Sequence, residues 1–194
     1  MTQVLLFHSA LGVRAGITEL AEALRAAGHS VEVVDQYDSQ VFDDYESAMS
    51  HVESVGMPAL MGSALEGAKG VSGAFVAVGF SNGAGMAQWV AANRPEDARG
   101  VVMVGGGMPM RYLEREWPQG VPGQIHVTEG DPWHEPGADD MLRDDLESAG
   151  AELEIFRYPG EGHLFNDPTL PAEYDVEAAR LLTERVVAFV GEVG

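Results

Sequence analysis

The chain has 194 residues, 45% of them hydrophobic, with 31 acidic against 11 basic residues, a formal net charge of −20 and no cysteine. This size and composition fit one domain, residues 1–194, with a substantial core, and exclude wholesale disorder. The acidic balance argues against nucleic-acid and anionic-membrane partners, and the missing cysteines remove disulfides, thiolate metal sites and thiol catalysis. No apolar run reaches the roughly 18 residues needed to span a bilayer. The opening Met1-Thr2-Gln3-Val4 enters a strand-like run without a basic leader, so a cytoplasmic protein is expected.

In chain order, a short apolar run at residues 4–7 predicts the first strand. Residues 16–27 follow as a helix, because Ile17, Leu20, Ala21 and Leu24 fall on one face. Gly28 stands where a left-handed C-terminal cap belongs, and residues 31–34 begin the next strand. Residues 44–68 predict two helices broken near Gly56-Met57-Pro58, since proline disfavours helix at the residue before it. Strands are then expected at 74–78, 101–104, 125–128 and 153–156, alternating with helices at 83–93, 138–149 and 173–190. The glycine- and proline-rich stretch 105–123 reads as a loop, too short to form a large cap. Repeated strand–helix–strand order with continuously apolar strands predicts an α/β fold. It is a doubly wound, mainly parallel sheet with helices on both faces and minimal or no cap.

The strongest chemical signal is Gly79-Phe80-Ser81-Asn82-Gly83, directly after a predicted strand and directly before a predicted helix. In that context G-x-S-x-G is a turn that lifts a serine nucleophile clear of the sheet, beside the positive end of the next helix. The bland alternative is a glycine-rich turn with an incidental serine. A serine needs a base, and His163 lies in a loop between the last predicted strand and the last helix. Asp131 follows the strand before it and completes the order Ser–Asp–His, which is the α/β-hydrolase order. Singly, a loop histidine and an Asp before a proline are more often turn residues; jointly, and on successive strand ends, they point to a catalytic triad. An oxyanion hole needs two N–H groups, expected from Asn82 after the serine and from Ala10 in the loop after the first strand.

These segments, with Ser9-Ala10-Leu11-Gly12 and Asp35-Gln36-Tyr37-Asp38, resemble those of the dienelactone hydrolase family nearly end to end. The resemblance implies a minimal hydrolase with its nucleophile, acid and base at Ser81, Asp131 and His163, and oxyanion donors at Ala10 and Asn82. Where the best-known member has a cysteine nucleophile and a glutamate in the first loop, this chain has Ser81 and Ser9. Where that member places a carboxylate-binding arginine beyond the histidine, this chain has Asp167, so neutral substrates are expected to be preferred.

Ser9, Leu11, Trp133 and Met108 are the expected pocket residues, with Met110, Tyr112 and Trp117 as further candidates for either pocket or core. Gly105-Gly106-Gly107 lacks the remainder of a nucleotide site and reads as a flexible pocket rim. His134-Glu135 lacks metal-ligand spacing and reads as a solvated loop, while His8 and His126 read as packing residues. The expectation is hydrolysis of a small ester, lactone or thioester through an acyl-Ser81 intermediate, with no cofactor and no metal. A homodimer stays open. The rival is a catalytically silent binding or sensor protein on the same fold.

Overall fold

The six apolar runs become β1 (Gln3–Phe7), β2 (Ser30–Val34), β3 (Phe75–Phe80), β4 (Ala98–Val104), β5 (Gly123–Thr128) and β6 (Leu153–Tyr158). The computed structural model describes residues 1–194, the side chain of Pro136 excepted. All neighbouring strands pair parallel in one sheet of order β2-β1-β3-β4-β5-β6. Every residue of β3 and β5 is buried, as expected for inner strands covered on both faces, whereas the edge strands β2 and β6 keep exposed positions.

The helices are α1 (Ala15–Ala26), α2 (Tyr45–Val55), α3 (Met57–Ala68), α4 (Asn82–Asn93), α5 (Pro136–Ser148) and α6 (Val176–Val193). Helix α1 buries Ile17, Leu20, Ala21 and Leu24 and ends in a Schellman motif at Gly28, whose φ is 92°. Gly28 N–H donates to the Arg25 carbonyl and His29 N–H to the Leu24 carbonyl, both within 3.1 Å. Helices α2 and α3 separate at Gly56, with φ of 82°, where the sequence predicts the break. Helix α6 starts three residues later than periodicity suggests, because Asp175 caps it by accepting from Glu177 and Ala178 N–H.

The chain runs from β1 outward to β2, then crosses back to β3 and continues through β4, β5 and β6 in the other direction. The loops leaving β1 and β3 therefore diverge, and a crevice opens between them at the carboxyl edge of the sheet. The loop after β4 is better fastened than a flexible rim. Gln88, fully buried on α4, donates to the Met108 carbonyl at 2.7 Å and accepts from its N–H at 2.9 Å. Met110 and Trp117 are core residues, and the Trp117 indole donates to the Val121 carbonyl at 2.7 Å. Among the described residues no helix is long and apolar enough to cross a membrane.

Candidate active site

Strand β3 ends at Phe80 and α4 begins at Asn82, so Ser81 alone makes the turn, at φ 53° and ψ −118°. A non-glycine residue with positive φ is strained and persists only where its surroundings hold it. Ser81 N–H donates to the Val104 carbonyl at 2.7 Å, and the Ser81 carbonyl accepts from Ala84 N–H at 2.8 Å. The flanking glycines have a steric reason. A Cβ at Gly79 would run into the Gly83 carbonyl, and a Cβ at Gly83 into the carbonyls of Phe7 and His8.

His163, only 5% exposed, bridges Ser81 and Asp131. Its Nε2 lies 2.7 Å from Ser81 Oγ and its Nδ1 lies 2.7 Å from Asp131 Oδ2. An ionised carboxylate only accepts, so Nδ1 carries the proton and Nε2 is left to accept from the serine hydroxyl. Asp131 Oδ1 accepts from Trp133 N–H at 2.8 Å, which bends the chain over Pro132 and fixes the carboxylate. Gly105, with φ of 84°, backs the imidazole closely; a Cβ there would stand 2.8 Å from His163 Cε1.

Glu173 fastens the segment that carries His163. Its carboxylate accepts Leu164 N–H at 2.7 Å and the Tyr45 hydroxyl at 2.9 Å. The Tyr45 ring lies 6.3 Å from the His163 ring and 5.5 Å from the Trp133 ring. Burial pushes the Tyr45 phenol well above its ordinary range, and the negative charges of Glu173, Asp131 and Asp167 push it further.

Ser81, Ala10 and Asn82 open together into a cleft of about 700 Å³. Among the described residues neither Ala10 N–H nor Asn82 N–H donates to a protein acceptor, as expected for Asn82 in the first turn of a helix. Met108, Tyr112 and Trp133 line the cleft. Ser9 and Leu11 do not. The loop folds on itself, with Gly12 N–H on the Ser9 carbonyl at 3.0 Å and Leu11 N–H on Ser9 Oγ at 3.2 Å, and both side chains are buried away from the cleft. The sequence reading misses the wall supplied by Tyr45, Met49, Val52 and Met57 on α2 and α3, and by Met141 on α5. The available signal was a set of methionines on amphipathic helices.

Two polar residues depart from expectation. The His134 side chain is 7% exposed, not solvated, and its Nε2 stands 3.2 Å from the Asp139 carboxylate, which also holds Arg157 at 2.6 Å. Asp167 is 3% exposed and faces away from the cleft. Arg14 Nε lies 3.3 Å from its Oδ2, while its Oδ1 accepts from Thr169 N–H at 2.9 Å. It is therefore a neutralised structural carboxylate, not a free charge beside His163.

His8 and His126 are packing residues, as expected. His8 Nε2 accepts from Gln36 N–H at 3.0 Å while its Nδ1 meets the Ser9 carbonyl at 2.7 Å, and His126 sits 2.8 Å from the Tyr158 hydroxyl. Among the described residues no three His, Asp or Glu side chains converge as a metal site.

Solved structures of similar fold agree with this architecture. A dienelactone hydrolase-like promiscuous phosphotriesterase from metagenomic libraries superposes with a TM-score of 0.80 at 20% identity, covering 100% of this chain and 87% of that one. The dienelactone hydrolase of Anabaena variabilis gives 0.73 at 19% identity, over 100% of this chain and 87% of the other. The Bacillus cereus carboxylesterase gives 0.61 at 17% identity, over 100% and 89%. At such identities the likeness speaks for the α/β-hydrolase fold. Among functionally curated proteins no relative matches the sequence. The family model described as the dienelactone hydrolase family matches residues 1–194, the full length of the sequence, and the chain therefore belongs to the dienelactone hydrolase family and is a hydrolase.

Proposed function

We propose that the protein cleaves small carboxylic esters, lactones or thioesters through an acyl-Ser81 intermediate. As Ser81 Oγ attacks the carbonyl carbon, its proton passes to His163 Nε2 and the carbonyl electron pair moves onto oxygen. The N–H groups of Ala10 and Asn82 receive that oxyanion. Collapse breaks the bond to the leaving oxygen or sulfur, which takes the proton from His163. A water then gives its proton to His163 and attacks the acyl carbon; the acid departs and Ser81 recovers its hydrogen. Asp131 holds the imidazole tautomer and stabilises the imidazolium formed in each half.

The observation that carries this reading is the unbroken hydrogen-bond chain from Asp131 through His163 to Ser81, with both links at 2.7 Å and the serine on a strained turn at the cleft. A fluorophosphonate should label Ser81. Ser81→Ala should lose both the label and hydrolysis of p-nitrophenyl acetate, with an unchanged circular dichroism spectrum. Labelling that persists in the variant overturns the assignment.

A further inference from the structure

The cleft around Ser81 has two walls of similar chemistry. Met49, Val52 and Met57 come from α2 and α3, and Met108, Tyr112 and Met141 from the opposite side. Four of these six residues are methionines, whose unbranched, polarisable chains adapt to apolar groups of varied shape. Met49, Tyr112 and Trp133 are between 45% and 63% exposed, so the cleft presents large apolar surface that no part of the chain covers.

Its charge is equally one-sided. Among the described residues the lining contains no lysine or arginine, and Glu135 is its one carboxylate. The nearby cations are engaged elsewhere. Arg14 is held by Asp167, Asp43 and the Phe42 carbonyl, and Arg111, stacked on Tyr112 at 4.8 Å, is not part of the cleft lining. Behind the same wall the Glu173 carboxylate takes the Tyr45 hydroxyl at 2.9 Å, which adds an anion and no cation. The net charge of −20 acts in the same direction at long range.

Building on the acyl-enzyme reading, we infer that the substrate is an uncharged ester whose apolar chain lies among Met49, Met57, Met108 and Met141, and that substrates bearing a free carboxylate are discriminated against. A carboxylate in this cleft loses water and finds no guanidinium to replace it. An alkyl chain exchanges water for methionine and aromatic surface, worth roughly threefold to fourfold in kcat/KM for each methylene fully buried.

The test compares p-nitrophenyl acetate, butanoate and hexanoate with the mono-p-nitrophenyl ester of adipic acid, which has the hexanoate chain length and a terminal carboxylate. Hexanoate should exceed acetate by at least roughly tenfold in kcat/KM, and should exceed the adipate ester by a similar factor. Met141→Lys, which sets a cation on the cleft wall, should narrow the hexanoate-to-adipate ratio. Flat or falling activity from acetate to hexanoate, a preference for the adipate ester, or an unchanged ratio in folded Met141→Lys would each overturn the inference. Where acetate is turned over and Ser81 is labelled, such a failure leaves the acyl-enzyme reading standing. Failure to turn over any ester, with Ser81 unlabelled, removes both.

Discussion

Asp131-Pro132-Trp133 and Asp167-Pro168-Thr169 are the same local device put to two uses. In each, the aspartate Oδ1 accepts the N–H two residues on, at 2.8 Å from Trp133 and 2.9 Å from Thr169, bending the chain over the proline. Both carboxylates are at least nine-tenths buried. They differ in what Oδ2 meets. For Asp131 it is the His163 imidazole at 2.7 Å, and for Asp167 it is the Arg14 guanidinium at 3.3 Å. A guanidinium offers no proton for exchange, so the second pair is a clamp between the start of α1 and the loop before α6. An imidazole can take and return a proton, so the first pair can do chemistry. The turn delivers a fixed carboxylate; in the proposed mechanism its partner decides whether that carboxylate serves rate or stability.

Asparagine at either position keeps the Oδ1 acceptor and the turn but removes the charge, so it separates the two uses. The largest effect is expected from Asp131→Asn. Its amide can satisfy the imidazole only in the wrong tautomer, and kcat should fall on the order of 10³–10⁴ with little change in urea midpoint. A kcat within tenfold of the parent would break the comparison on its catalytic side.

Asp167→Asn should do the reverse. It removes the buried one of the two carboxylates that hold a guanidinium 9% exposed, leaving Asp43 and the Phe42 carbonyl, and stability should drop by about 2–3 kcal/mol in urea unfolding, while kcat of the folded fraction stays within roughly threefold. A large loss of kcat at unchanged stability would place the clamp in the active machinery.

The smallest effect concerns a buried imidazole that has no carboxylate. His126 meets only the Tyr158 hydroxyl and, at 3.3 Å, the Gln124 amide; burial first and the Arg185 charge second hold its pKa down to about 3. Because the folded value lies below the unfolded 6.5, the unfolded chain takes up the proton first on acidification. This contribution is complete above pH 6.5 and fades as pH falls from 6.5 toward 3, by at most about 1.4 kcal/mol per unit. His126→Gln should flatten that part of the stability–pH curve, measured as urea midpoints between pH 7 and 5. An unaltered slope would mean that other groups govern acid sensitivity.

The strand and helix order was legible because each strand is a continuous apolar run and each helix repeats on one face. Ser81, Asp131 and His163 could be nominated because the fold places successive strand ends along one edge, and the order along the chain becomes proximity in space. What stayed hidden depends on direction or distance. Leu11 and Ser9 sit beside Ala10 in sequence, but a tight turn sends their side chains inward while Ala10 remains at the cleft. Arg14 and Asp167 meet from opposite ends of the chain, so the sequence ties Asp167 only to its neighbour His163, while its true environment is the Arg14 guanidinium. His134 likewise took its partner from a residue on α5 that no local spacing announces.

The contact at Gly83 has a mechanical consequence. The two N–H groups assigned to the oxyanion belong to separate segments, Ala10 to the loop after β1 and Asn82 to the head of α4. Bare backbone touching the Phe7 and His8 carbonyls stops these segments from approaching further, and the ladder from Phe7 to Gly79 stops them from drifting apart. The gap between the two segments is thus gauged by steric contact on one side and sheet pairing on the other, and the Ser9–Gly12 turn sets Ala10 against that gauge. Warming that loosens the surrounding loops should leave the backbone stop at Gly83 unaltered until β1 and β3 themselves part, so Ala10 has a fixed seat to return to for as long as the sheet survives.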